Sequence, residues 1–212
     1  MDWEDLILNE ETGCFSLRFA GGECRDFYAQ VKLRDGTWLK TTDMKQHKKT
    51  ESEETTEMGC CRRAEFVHED GGRIQLIQQF DLYGEYMTVR LTVNSPDTIT
   101  TNCMMPLCGC GEGPVFAMEG EEIRFLCAPF DNDKWAKFVD YPVKYSRMSY
   151  EFTVIHPKEA ASGLVMGSVD HDCWKTGFAA KTDKDGNIVS LEGISGVATE
   201  DTRDLDLSLI HI

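Results

Sequence analysis

Residues 74–93 read IQLIQQFDLYGEYMTVRLTV, and their alternation decides the fold class. Ile74, Leu76, Phe80 and Leu82 are apolar with Gln75, Gln79 and Asp81 between them. Beyond Tyr83-Gly84, the residues Met87, Val89, Leu91 and Val93 alternate with Thr88, Arg90 and Thr92. Successive side chains of a strand point to opposite faces, so this period marks two half-buried strands joined by a tight turn. Working outward, the Glu69-Asp70-Gly71-Gly72 cluster supplies a preceding turn and makes Ala64–His68 a third strand of the same meander.

Turn signals recur at hairpin spacing along the rest of the chain: Gly21-Gly22, Asp35-Gly36, Gly111 to Pro114, Glu119-Gly120 and Asp185-Gly186. Between them, strands are expected at Cys14–Phe19, Cys24–Leu33, Thr98–Met104, Ile123–Cys127, Ser149–Ile155, Leu164–Val169, Gly177–Thr182 and Ile188–Ile194. No stretch longer than about ten residues keeps a 3.6-residue apolar period without a Gly or Pro breaker, so little helix is expected. Many short strands without helical crossovers argue for an all-β, antiparallel sandwich. Met44 to Glu57 (MKQHKKTESEETTE) is the exception, a basic block followed by an acidic one, and reads as a long solvated loop.

The composition narrows the function classes. The chain has 212 residues, enough for one large sandwich, and its net charge of −15 repels phosphate backbones and anionic lipid surfaces. Nucleic acid and membrane are therefore excluded as partners. The longest uncharged apolar stretch, Gly163 to Val169, is of strand length, well short of the roughly 18 to 20 residues that span a bilayer. Met1 to Leu8 carries three acids and no base, unlike the basic start of a secretory signal, and a cytoplasmic location is expected. The nine cysteines include no CxxC, so reduced, mostly buried thiols are expected rather than a metal site, and no cofactor is implied.

Two clusters carry possible chemistry. In Pro129-Phe130-Asp131-Asn132-Asp133-Lys134-Trp135, carboxylates and an amide beside an indole form a kit for holding a sugar, whose hydroxyls want planar acceptors and whose apolar face wants an aromatic platform. The same residues also make a turn in which Asp131 and Asn132 bond their own backbone and Trp135 anchors the loop. The second cluster, Gly167 to Gly177 (GSVDHDCWKTG), places His171 and Asp172 at a strand end. A His next to an Asp invites an acid/base role, but a structural corner with Trp174 in the core is the better account. Asp183-Lys184-Asp185-Gly186-Asn187 mimics a calcium loop but lacks the Glu at the twelfth position, where Ile194 stands, so a hairpin turn is the better account. His47, His68 and His156 form no HxH or HxxxH pair, and CGCGEG at 108–113 lacks the ending of a phosphate loop.

Three segments, PFDNDKW (129–135), SYEFTVI (149–155) and GLVMGSVDHDCWKTGF (163–178), resemble the N-terminal β-sandwich of bacterial glycoside hydrolases related to α-galactosidases and raffinose synthases. The likeness covers about residues 125 to 205 by motif. It implies a large galactose mutarotase-like supersandwich that packs on a (β/α)₈ barrel, and in that family the barrel supplies two catalytic aspartates. The resemblance therefore implies a non-catalytic domain at residues 1–206, separated from its barrel, with a galactoside-like carbohydrate as ligand. Asp131, Asn132, Asp133, Trp135, His171 and Trp174 are the candidate sugar contacts. Cys173 stands where the family more often has Thr, a small swap. The closing LSLIHI, residues 207–212, departs from the family and is read as a non-native tail.

Two other functions fit the same strands. A stand-alone carbohydrate-binding sandwich would present aromatic platforms from among Trp3, Trp38, Trp135 and Trp174. A mutarotase-like epimerase would need His171 or His68 in a cleft beside a carboxylate. Nothing in the sequence excludes an oligomer.

Overall fold

The computed structural model describes residues 6–130, 136–159, 163–170 and 174–196, and the backbone of 210–211. In chain order the strands are β1 (Leu6–Asn9), β2 (Cys14–Phe19), β3 (Gly22–Leu33), β4 (Trp38–Lys40), β5 (Gln46–Thr56) and β6 (Gly59–Glu69). There follow β7 (Gln75–Leu82), β8 (Met87–Asn94), β9 (Thr101–Cys110), β10 (Phe116–Met118), β11 (Ile123–Cys127) and β12 (Val139–Pro142). The last are β13 (Ser149–Tyr150), β14 (Phe152–Pro157), β15 (Leu164–Gly167), β16 (Thr176–Thr182), β17 (Ile188–Ser195) and β18 (Ile210–His211). Among the described residues, helix is confined to single 3₁₀ turns at Thr41–Asp43 and Val143–Tyr145. The fold is all-β, and every strand pair is antiparallel.

Three sheets are built from these strands. The largest, nine-stranded, runs β1-β2-β3-β10-β17-β16-β13, with β4 beside β3 and with β9 also between β3 and β17. Strands β9 and β10 thus fill one row in tandem: Tyr28 to Leu33 of β3 pair with β9, while Gly22 to Cys24 pair with β10. The second sheet, β18-β8-β7-β6-β5, contains the 74–93 meander as two antiparallel strands, with Phe80 opposite Val89 and Leu76 opposite Val93. The third is four-stranded, β12-β11-β14-β15.

The core lies between the first two sheets. Their inward residues Phe15, Phe27, Ala29 and Val31 meet Ala64, Phe66, Leu76, Phe80 and Leu91, all buried. Phe15 of β2 and Phe80 of β7 cross the interface edge to face at 4.9 Å, the arrangement the ring quadrupoles favour. Gly109 in β9 is there for packing: a Cβ would stand 2.3 Å from the ring of Phe27. The four-stranded sheet covers the β16 end, with Phe125 and Ile155 fully buried beneath it.

The 44–57 segment corrects the loop expectation. Gln46–Thr56 is strand β5, paired with β6 along its whole length from Gln46↔Glu69 to Thr56↔Gly59. It escaped the alternation rule because an edge strand wet on both faces has no apolar side to reveal, and its Lys and Glu residues protect an open edge. Three smaller differences also have local causes. The ninth strand runs Thr101–Cys110 instead of Thr98–Met104, continuing through Pro106 and Gly109, residue types that more often punctuate a strand than extend it. The Ser149–Ile155 stretch divides at Glu151, and the Leu164 strand ends at Gly167.

Candidate functional site

The break at Glu151 is where the sheets are joined. Ser149 and Tyr150 pair with Phe178 and Gly177 in the large sheet, whereas from Phe152 onward the chain pairs with β11 and β15 in the small one. A single residue makes this change of sheet, and it does so with φ of 68° at Glu151. That left-handed conformation is unfavourable for a residue with a Cβ, and such strain is held only where surrounding bonds fix it.

The fixing bonds come from Ala128, from Ser149 to Phe152 and from Ser168 to Thr176. Ala128 N–H donates to Ser149 Oγ at 2.7 Å, and Ser149 Oγ donates to the Phe152 carbonyl at 2.6 Å. Tyr150 N–H donates to the Ala128 carbonyl, Glu151 N–H to the Thr176 carbonyl, and Ser168 N–H to the Glu151 carbonyl. Thr176 Oγ1 donates to Ser168 Oγ at 3.1 Å, and Ser168 Oγ to the Asp170 carbonyl at 2.8 Å. Phe130 sits edge-on to Tyr150 at 5.0 Å, with the Lys175 ammonium 4.2 Å from its ring centre and also bonded to its carbonyl. PF, SYE, GS and KTG thus form one knot around the corner.

Of the sequence-predicted contacts, Asp131, Asn132, Asp133, Trp135 and His171 lie outside the described residues. Trp174 is described and is 6% exposed within the core, so its ring faces neighbouring apolar side chains and offers no platform to solvent. This is the position that the structural-corner reading gives Trp174, in the core, rather than the one a sugar contact needs. Sequence reasoning missed the aromatic residues that are exposed beside the knot. Phe138 and Phe152 stack at 6.0 Å and are 55% and 38% exposed. Phe152 falls in an expected strand, where an apolar residue reads as core, and Phe138 lies in no expected strand, so no pattern marked either as exposed.

A second polar group lies between the two large sheets. His47 and His68 face each other across β5 and β6, with their Nδ1 atoms 3.0 Å apart, so one ring donates and the other accepts. His68 is fully buried; desolvation, then the neighbouring His47, push its pKa down to about 3. Its Nε2 and the Oε1 of Gln78 are buried without hydrogen-bond partners, while Gln78 Nε2 donates to the Pro106 carbonyl. Among the described residues no carboxylate bonds either ring, so His68 has no acid there of the kind that the epimerase alternative requires. Gly13 packs against His47, where a Cβ would stand 2.6 Å from Cε1.

Elsewhere, Asp183 forms the hairpin turn read from the sequence, accepting from the Asp185 and Asn187 amides and holding Asn187 Nδ2. Its carboxyl is held below the usual range by those bonds, led by Asn187. Among the described residues, no three His, Cys, Asp or Glu side chains are grouped to hold a metal ion, and no helix is long and apolar enough to cross a membrane. No family model, curated protein or solved structure matches this chain.

Proposed function

We propose that this chain is a non-catalytic β-sandwich domain of an α-galactosidase-like glycoside hydrolase. In that reading it packs on a (β/α)₈ barrel and lends residues 129–135 to the sugar site. The observation that carries the reading is the knot at Glu151. Three segments chosen on sequence resemblance alone, up to 49 residues apart from Pro129 to Phe178, meet there: Lys175 Nζ donates to the Phe130 carbonyl, Glu151 N–H to the Thr176 carbonyl and Ser168 N–H to the Glu151 carbonyl. Phe130 and Lys175 tie the base of the 131–135 segment to the knot, and the stacked pair Phe138 and Phe152 lies just beyond it. A neutral sugar also suits a chain of net charge −15, which neither attracts nor repels it.

The coding sequence beyond residue 206 is the first test, with an uninterrupted barrel bearing two strand-end aspartates expected. In the enzyme carrying that barrel, Asp133→Ala and Trp135→Ala should each raise KM for an aryl galactoside about tenfold, the worth of one good contact. Unchanged KM in both variants overturns the sugar-site role.

The exposed Phe138–Phe152 pair favours one second reading, a stand-alone carbohydrate-binding module using that stack as its platform. Titration calorimetry of this chain with galactosides separates the two. Millimolar or tighter binding, lost in Phe152→Ala, supports the module, and silence supports the accessory domain.

A further inference from the structure

Strand β15 is the outermost strand of the four-stranded sheet, and its far edge pairs with no strand among the described residues. Open edges template association, and folded proteins guard them with charge, proline or bulges. The β5 edge of the five-stranded sheet is guarded in this way, by Lys48, Lys49, Glu51, Glu53 and Glu54. The β15 edge is not: residues 163–169, GLVMGSV, hold no charge in a chain of net charge −15. Two copies of so acidic a chain repel over most of their surfaces, and along this edge the source of that repulsion is missing.

The hydrogen-bond phase of β15 fixes which backbone groups are free. Ser168 N–H donates to the Glu151 carbonyl at 2.8 Å, and the same register continues as Gly167↔Phe152, Met166↔Thr153, Val165↔Val154 and Leu164↔Ile155. Antiparallel pairs alternate between bonded and non-bonded, so Leu164, Met166 and Ser168 turn their backbone groups toward β14, while Val165 and Gly167 turn theirs outward. Around a two-fold axis through Met166, a second β15 sets the partner's Gly167 against Val165 and the partner's Val165 against Gly167. About four interchain hydrogen bonds form, with the two Met166 residues opposed in the non-bonded position.

The side chains complement each other in the same register. Val165 is 68% exposed, and Gly167 two residues on, on the same face, has no side chain, so the strip beside the Phe152 Cβ, 3.5 Å from where its own Cβ would stand, is left without one. The partner's Val165 fills that space beside Phe152, which stacks on Phe138. Each copy supplies both the projecting valine and the gap, as an isologous interface requires. We propose that this chain forms a two-fold dimer by edge-to-edge pairing of β15, merging two four-stranded sheets into one continuous sheet.

Sedimentation equilibrium of the full chain up to about 100 µM, well above micromolar interface affinities, is expected to give twice the 24.0 kDa chain mass. Val165→Lys, at a side chain that points into solvent, should restore the single-chain mass with an unchanged circular dichroism spectrum. Hydrogen exchange at the Val165 and Gly167 amides of the unaltered protein should slow at least about tenfold as the dimer fills. A 24.0 kDa species at every concentration overturns the proposal. So does a dimer that survives Val165→Lys, or one whose 165 and 167 amides stay unprotected. If Val165→Lys does not fold, the exchange measurement decides alone.

Discussion

Acidification should unfold this protein through His68, and the size of the effect follows from its burial. The imidazole ordinarily titrates at 6.5, and in the fold it does so at about 3, chiefly because burial removes the water that would stabilise the cation. Above pH 6.5 the ring is neutral in both states and folding carries no proton cost. As the pH falls, the unfolded chain takes up the proton first, so stability declines from about pH 6.5 down to about pH 3 and is flat below that. At about 1.36 kcal/mol per pH step, the full loss is about 5 kcal/mol, of which about 2 kcal/mol appears between pH 6.5 and 5. His47, whose pKa burial also lowers, adds in the same direction. The assay is urea unfolding at half-unit steps from pH 8 to 4, for the unaltered chain and for His68→Asn. The Asn amide oxygen can still accept from His47 but does not titrate. The carboxylates titrate in both proteins, so the difference between the two stability curves isolates the imidazole. A difference that stays flat between pH 7 and 5 refutes the reasoning.

Two further substitutions probe the packing and the outer face of the five-stranded sheet. Gly109→Ala places a methyl where the Phe27 ring lies and should cost about 1–3 kcal/mol in urea unfolding, with Phe27→Leu in the same chain recovering part of it. Arg63 grips Asp81 through two bonds, at 2.6 and 3.0 Å, and Asp81 is almost wholly buried. Arg63→Met removes both of those bonds from a buried carboxylate and should cost about 3 kcal/mol in urea unfolding at pH 7, whereas Arg63→Lys should cost less.

The parts of this fold that were legible share one property: a wet face and a dry face. β2 and β11 fall on Cys14–Phe19 and Ile123–Cys127 as read, and β7 and β8 lie within a residue of their expected bounds. Each alternates against a buried partner and ends at a turn. β5 has no dry face, and β4 and β10 are three residues long, too short for any period to register. Around the candidate site the sequence located the right neighbourhood but not its architecture. The Ser149 and Thr176 hydroxyls that bind the corner read as ordinary polar strand residues. The His47–His68 contact joins residues 21 apart, visible only once the β5–β6 register is known.

The placement of β17 governs how this chain can be assembled. One edge of β17 accepts β9 and β10, and the other accepts β16, through which β13 is attached. It is also among the last strands along the chain, at Ile188–Ser195, with Phe116 of β10 pairing to Ile188. During synthesis the row formed by β9 and β10 must wait with one bare edge, although it is already able to pair with β3. Contacts that close so late over such long sequence separations make folding slow, and a bare central edge is a template for aggregation. Expression yield should therefore depend steeply on translation speed and chaperone supply, and a chain cut before Ile188 should be recovered chiefly as aggregate.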